Sequence, residues 1–341
     1  MLRFGVIGFG YWGPNIVRTI TGIEEATVQT VCDSNVDALK RVKSLYPHVN
    51  VSQNASDIVH DDLIDVVAVI TPVSTHYPLA KKALENGKHV FVEKPFTQTA
   101  EEAQELIEIA DQNQRLIMVD HTFLFTGAVT KIKELIDRGE LGDLYYYDSR
   151  RVSLGLFQQD TNVIWDLASH DISIIDYVVQ NKPVSLSACG IDHMESGHEN
   201  IAYITINYEN NMIVHLNVNW LSPVKLRTTI IGGEKKMLVW DDLQADEKIK
   251  IYDKGVTTIN DKEGINRLKV DYRSGDMWCP KIDPTEALKT EMSYLVECIN
   301  NCQNPFNDGA AGLRVVQMLQ AADESMKNKW AIKKLCQIAC A

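Results

Sequence analysis

Arg3-Phe4-Gly5-Val6-Ile7-Gly8-Phe9-Gly10-Tyr11-Trp12-Gly13-Pro14 stands near the start of the chain and decides how the rest is read. Arg3–Ile7 predicts a strand running into a turn at Gly8. The six residues from Gly8 to Gly13 fit GxGxxG, and Pro14 suits the first turn of a helix. The pattern alone is weak, because glycine is common in turns. Between a strand and a helix it becomes a phosphate cradle. Gly8 makes the tight turn, Gly10 lets the backbone approach a pyrophosphate, and Gly13 lets helix and strand pack closely; Tyr11 and Trp12 belong to the same candidate loop. Asp33 follows 20 residues after Gly13, directly behind the second predicted strand. A carboxylate there accepts hydrogen bonds from an adenosine ribose and repels a 2′-phosphate. Ser34-Asn35-Val36 bring no arginine to receive that phosphate, so NAD is the expected cofactor.

Outward from this stretch, short β-branched runs alternate with amphipathic helices. Strands are predicted at 3–7, 26–32, 65–70, 89–92 and 116–119, with helices at 14–21, 36–45, 77–86 and 100–113. Runs such as Val66-Val67-Ala68-Val69-Ile70 are apolar throughout, as strands buried on both faces require, which predicts a parallel sheet covered by helices. After His121 the pattern changes. A helix over 128–138 leads to a strand over 144–152, a polar loop and a helix over 166–179. Alternating strands follow at 201–208, 213–220, 226–231 and 236–241, with Glu209-Asn210-Asn211 as a hairpin turn. Two helices, 285–301 and 309–328, close the chain. The expected fold is an α/β domain with a parallel sheet (1–122), then an α+β domain with a large, mostly antiparallel open sheet (123–341). The C-terminal helices are candidates to pack back on the first domain. The short join predicts two domains sharing a cleft.

The 341 residues are enough for about two domains. Hydrophobic residues at 45% and charged residues at 23% describe an ordinary globular chain, not a disordered or fibrous one. Against 46 Asp and Glu stand 34 Lys and Arg, a formal charge of -12. Such a chain disfavours nucleic acid and anionic membrane surfaces as partners, although one small basic pocket remains compatible with it. The first residues carry no signal-peptide h-region and no apolar run is long enough to span a bilayer, so a cytoplasmic location is expected. Seven cysteines without a CxxC read as reduced thiols, even though Cys298/Cys302 and Cys336/Cys340 are each four apart. No metal is expected: His193-Met194-Glu195-Ser196-Gly197-His198 is not a zinc motif and reads as a polar loop.

Ligands of a doubly wound sheet bind at the carboxyl ends of its strands. That rule selects Thr71-Pro72 with nearby His76, then Glu93-Lys94-Pro95, then Asp120-His121. A lysine at a strand end is more often a surface residue. Beside a cofactor, Lys94 can bind a substrate hydroxyl, and desolvation can bring its pKa into a useful range. In Trp165-Asp166-Leu167-Ala168-Ser169-His170-Asp171, one helical face carries Asp166 and His170, suiting them to proton exchange with a hydroxyl. An N-cap aspartate with a packed histidine is the plainer reading of that pair. Arg151, behind a predicted strand, is a candidate for a substrate diphosphate or carboxylate, with a solvated strand-end arginine equally compatible.

Taken in order, Gly8-Phe9-Gly10-Tyr11-Trp12-Gly13, Thr71-Pro72, Glu93-Lys94-Pro95 and Asp166-x-x-x-His170 resemble the Gfo/Idh/MocA oxidoreductases over nearly the whole chain. The resemblance implies a Rossmann domain followed by an α+β substrate domain, and oxidation or reduction of ring hydroxyls of sugars and polyols with NAD(P). It implies Lys94, Asp166 and His170 as catalytic residues. The cofactor residues would be Gly8, Gly10, Tyr11, Trp12, Gly13, Asp33, Thr71, Pro72, His76, Glu93 and Lys94. The substrate residues would be Lys94, His121, Arg151, Asp166 and His170. Finer likeness, around Gly10–Asn15 and Trp165–Asp171, is to a branch acting at C3 of UDP-N-acetylglucosamine-type nucleotide sugars. A free sugar or inositol dehydrogenase is the alternative within the class, and a nonenzymatic NAD-binding regulator the alternative outside it. A homodimer or homotetramer through the open sheet face is also implied, supported by Tyr, Trp and Val on strands of 201–241.

Overall fold

A computed structural model describes residues 1–155, 161–259 and 269–335. They form two compact units: Met1–Phe125 with Thr285–Gln320, and Thr126–Pro284 with the residues from Ala321 on. The first unit therefore ends its first segment at Phe125 and recovers a second segment late in the chain.

The first unit is built on six parallel strands: β1 (Leu2–Ile7), β2 (Ala26–Cys32), β3 (Asn50–Ser52), β4 (Val66–Val69), β5 (His89–Glu93) and β6 (Ile117–Asp120). Their order is β3-β2-β1-β4-β5-β6. The chain moves outward from β1 to β3, then restarts on the other side of β1 with β4. The carboxyl ends of β1 and β4 thus flank the point where strand order reverses, the place where such sheets bind ligands. All four residues of β4 are buried, as its uninterrupted apolar run requires.

Helices α1 (Gly13–Thr21), α2 (Val36–Leu45), α3 (Ser56–Val59), α4 (His76–Glu85) and α5 (Ala100–Asn113) connect the strands. The start of α2 is capped by Asn35, which accepts from Asp37 N–H, and α5 opens with a Thr99/Glu102 capping box. These local signals explain why 36–45 and 100–113 were legible to the residue. The short β3 and α3 carry too few residues for any periodicity and escaped prediction.

The second unit contains α6 (Gly127–Asp137), α7 (Ser169–Val178) and, among the described residues, a nine-stranded sheet. Its strands are β7 (Leu144–Leu154), β8 (Pro183–Ile191), β9 (Ile201–Tyr208), β10 (Ile213–Asn219), β11 (Leu221–Gly233), β12 (Met237–Asp241), β13 (Ile249–Tyr252), β16 (Met277–Trp278) and β17 (Lys333–Lys334). A separate ribbon pairs β14 (Gly255–Ile259) with β15 (Lys269–Arg273). The pairing of β10 with β7 is parallel and the others are antiparallel. Asn211 takes φ 61° at the predicted hairpin turn, the left-handed conformation Asn tolerates.

Along β9 and β10 inward Ala202, Ile204, Val214 and Leu216 are buried, while Tyr203 and Ile213 are exposed. The expected outward tryptophans are a correction. Trp220 and Trp240 are 1% and 2% exposed and belong to the core. Trp240 alternates with outward neighbours on β12, and Trp220 lies in the turn between β10 and β11, so neither occupies an outward position.

Helix α8 (Ala287–Asn301) and the first part of α9 (Gly309–Lys327) form the returning segment of the first unit; α9 continues into residues of the second. Val119 N–H donates to Asn307 O at 3.0 Å, tying the returning segment to the end of β6. Cys32, Cys189, Cys279, Cys298 and Cys302 are free thiols, and Cys336 and Cys340 lie outside the described residues. No described helix is long and apolar enough to cross a membrane.

Candidate cofactor and catalytic residues

The glycine-rich turn leaves β1 at Gly8, whose φ is 103°. A Cβ there would lie 2.0 Å from Ile70 O, so the turn and the β1–β4 approach both require glycine. At Gly13 a Cβ would lie 2.3 Å from Gly8 O, which is the close helix–strand contact the motif predicts. Gly10 is different, because a Cβ there would meet nothing within 4 Å. Nothing inside the protein explains its glycine; bare backbone facing open space at the mouth of a helix is what a pyrophosphate needs.

Asp33 completes this side. Its Oδ2 accepts from Phe9 N–H at 2.7 Å and its Oδ1 from Asn35 N–H at 2.8 Å. The carboxylate is therefore locked between the glycine loop and the start of α2, with lone pairs left for a ribose. Open backbone at Gly10 and a fixed carboxylate at Asp33 fit the diphosphate and ribose of NAD. Arg41, on α2, lies with its guanidinium carbon 5.6 Å from the Phe9 ring centre. This cation lies beyond Ser34-Asn35-Val36 in sequence, where the local pattern after Asp33 does not announce it.

The other strand ends are cross-linked by His76. Its Nε2 lies 2.7 Å from Thr71 O and its Nδ1 lies 2.9 Å from Pro95 O. His76, expected at the cofactor, is 1% exposed, and both ring nitrogens face protein carbonyls. It holds the Thr71-Pro72 turn to the Lys94-Pro95 turn. Thr75 Oγ1 adds a 2.7 Å hydrogen bond to Thr71 Oγ1. Lys94 is part-buried just past the end of β5, and the peptide joining it to Pro95 is cis. Glu93, one residue before, pairs in register with Asp120 on β6.

His121 follows Asp120 and is 1% exposed, with neither ring nitrogen hydrogen-bonded among the described residues. Burial, opposed by Asp120 and reinforced by Lys94, brings its pKa down to about 4. It is a neutral imidazole, able to donate from one nitrogen and accept at the other. In the loop, Tyr11 is 86% exposed, while Trp12 donates from Nε1 to Asp120 Oδ2 at 2.7 Å. Trp12 thus fastens the cofactor loop to the end of β6, a contact 108 residues apart in sequence that no local pattern announces.

Asp166 and His170 belong to the second unit. The expected helix over 166–179 begins as a π turn, Ile164–Ala168, and continues as α7. Asp166 does not cap it. Asn162 does, its Oδ1 accepting from Ile164 N–H at 3.0 Å and Trp165 N–H at 3.2 Å. Asp166 instead sits within the π turn, a form of helix often found at functional positions. Its Oδ2 accepts from Trp220 Nε1 at 2.9 Å, which orients the carboxylate. A plain N-cap role for Asp166 is thereby removed.

Arg151, expected at the substrate, lies on β7. The alternation of β7 turns it inward, 5% exposed, where Nε and Nη2 reach the Asp171 carboxylate at 2.8 and 3.2 Å. Ser149 Oγ donates to the same carboxylate at 2.9 Å. This is an internal ion pair joining the sheet to α7.

Residues 2–121 match the NAD-binding Rossmann domain of the GFO/IDH/MocA oxidoreductase family, and residues 129–239 match that family's C-terminal domain. Among curated relatives, the uncharacterized oxidoreductase YdgJ of Escherichia coli is 36% identical over 152 residues, 43% of this chain and 42% of YdgJ. The match thus spans less than half of YdgJ. The UDP-N-acetylglucosamine 3-dehydrogenase of Acidithiobacillus ferrooxidans is 25% identical over 92% of this chain and 94% of its own. Its solved structure superposes with a TM-score of 0.80 at 23% identity, covering 96% of this chain and 98% of that one. The NAD(+)-dependent scyllo-inositol 2-dehydrogenase of Bacillus subtilis is 24% identical over 96% of this chain and 94% of its own. With both halves of the family matched across most of its length, and with an NAD-type cradle at Gly8–Gly13, this chain belongs to the GFO/IDH/MocA oxidoreductase family.

Proposed function

We propose that the protein oxidises or reduces a ring hydroxyl of a sugar with NAD, with C3 of a UDP-N-acetylglucosamine-type nucleotide sugar as the first candidate. One observation carries the reading. A glycine cradle open at Gly10 and closed by Asp33 stands in the same parallel sheet as Lys94, two strands from β1. Likeness over most of the chain to the Acidithiobacillus enzyme supports the nucleotide sugar. Nearly equal likeness to the Bacillus inositol enzyme supports a cyclitol or free sugar as the second reading.

The backbone of Gly8–Gly13 would hold the diphosphate of NAD, and Asp33 its adenosine ribose. Bound NAD supplies the hydride acceptor. The chain's own residues handle the oxygen and its proton. The Lys94 ammonium donates to the substrate hydroxyl and stabilises negative charge as the O–H bond breaks. With Lys94 as the ammonium, the His170 imidazole takes the proton; in the alternative, a neutral Lys94 amine takes it in place of donating, and in both Asp166, oriented by Trp220, holds the substrate or the imidazole.

The test is NADH formation by the purified protein with NAD and UDP-sugars, free sugars or inositols. Turnover of UDP-N-acetylglucosamine-type sugars is expected, and turnover of free sugars or inositols alone would overturn the nucleotide-sugar assignment. Lys94→Ala and His170→Ala should each lower kcat at least about 100-fold, and His170→Ala should leave the Kd for NAD nearly unchanged. Full turnover in both would end the mechanism. NADP bound tighter than NAD would show that Arg41, not Asp33, governs the ribose end.

A further inference from the structure

Helix α8 packs its apolar stripe, Leu288, Met292 and Leu295, into the first unit, yet the same stripe carries Glu291 at 0% exposure. An ionised carboxylate without a cation is too costly to bury there. Among the described residues no lysine or arginine forms an ion pair with it. Asn307 Nδ2, which also donates to Val119 O at 2.8 Å, donates to Glu291 Oε1 at 3.4 Å. Glu291 Oε2 is buried and meets no N–H donor, and the Thr122 hydroxyl lies within hydrogen-bonding reach of the same carboxyl. Because Asn307 binds both Glu291 and, through Nδ2 and its carbonyl, Val119 of β6, the Glu291 carboxyl sits beside the next residue of that strand, Asp120, which is 2% exposed. Asp120 is in turn the acceptor for Trp12 Nε1 and for the Thr122 hydroxyl.

We propose that Glu291 is a positioning residue for the cofactor loop: as a neutral carboxylic acid it donates to Asp120 and fixes the carboxylate that holds Trp12. Burial and the charges of Asp120 and Glu93 raise its pKa well above the ordinary value, in agreement with that geometry. Asn307, Glu291, Asp120 and Trp12 form one chain of donors and acceptors, from the returning segment to the glycine loop. The ordering matters because Asp120 has two donors already, and a third on the same carboxylate leaves it one orientation. Glu291 acts through Asp120 and is not itself a ligand of substrate or cofactor. The inference rests on NAD binding at the glycine loop.

Isothermal titration of the full-length protein with NAD tests it. Wild type is measured first, because failure of wild type to bind NAD would overturn the functional reading rather than this inference. Glu291→Gln, which keeps a neutral donor, should bind NAD within about twofold of wild type. Glu291→Leu should bind about tenfold more weakly, the loss of one hydrogen bond to a charged acceptor. In a Trp12→Phe background, Glu291→Leu should have little further effect, since both act through one carboxylate. Wild-type affinity in Glu291→Leu, or additive losses in the double variant, would overturn the proposal. Should the leucine variant not fold, infrared difference spectroscopy of wild type against Glu291→Gln decides. A protonated-carboxyl C=O stretch at neutral pH is expected, and its absence would refute the assignment.

Discussion

Two glycines of one loop make opposite predictions, and the contrast isolates binding from folding. Gly10→Ala places a methyl group where no protein atom lies within 4 Å. The folded state gains no clash, and stability should stay within about 0.5 kcal/mol of wild type. That corresponds to a Tm shift of roughly 2 °C or less for a unit of this size. The same methyl stands where a diphosphate must approach the backbone. Losing two charge-assisted hydrogen bonds at about 1.5 kcal/mol each weakens NAD by roughly 100-fold. Gly8→Ala should do the reverse kind of damage. Its φ of 103° strains any side chain, and its Cβ would stand 2.0 Å from Ile70 O. Backbone strain and forced separation of β1 from β4 together cost about 4 kcal/mol, enough to lower Tm by roughly 10 °C. Scanning calorimetry reads the first quantity and titration with NAD the second. Wild-type affinity in Gly10→Ala would refute the cradle. Equal destabilisation by both substitutions would show that the loop's glycines serve folding alone.

Two further outcomes follow from buried charge. Asp171→Leu leaves Arg151 buried without its carboxylate and should lower stability by about 3–5 kcal/mol in urea unfolding, whereas Arg151→Met combined with Asp171→Leu should recover most of the loss. A stable Arg151→Met variant that had lost only turnover would instead restore Arg151 as a substrate ligand. His121, brought down to about 4 from 6.5 chiefly by burial, is neutral in the fold and protonates more readily once unfolded. Its contribution, about 3 kcal/mol, is present in full above pH 6.5 and is lost as pH falls from 6.5 toward 4. His121→Asn should therefore flatten the decline in the urea midpoint across that window, and an unchanged slope would contradict the depressed pKa.

Local chemistry decided what could be read beforehand. The β1–glycine–α1 unit, Asp33 and the helices over 36–45 and 100–113 are specified by residues within a few turns of one another. The relations that organise the strand ends are not. Trp12 meets Asp120 across 108 residues, and His76 joins two turns through its ring nitrogens, which a sequence pattern cannot distinguish from a ligand contact. Arg151 shows the same limit. A strand beside it was legible, but β7 runs on to Leu154, the face Arg151 takes depends on pairing with β10 and β11, and the Asp171 that pairs with it lies on a helix. The π turn at Ile164–Ala168 escaped for a different reason, since apolar periodicity does not separate it from an α-helix.

The return of Thr285–Gln320 to the first unit makes that unit discontinuous, with Thr126–Pro284 interposed between its two pieces. A ribosome delivering the chain from its N-terminus must synthesise the interposed unit before α8 exists. Until then the end of β6 lacks Asn307, and the position opposite Asp120 lacks Glu291. Completion of the nucleotide-binding half is therefore a late event in synthesis. The half that comes first in the linear order, with its motif at Gly8–Gly13, is the one that has to wait.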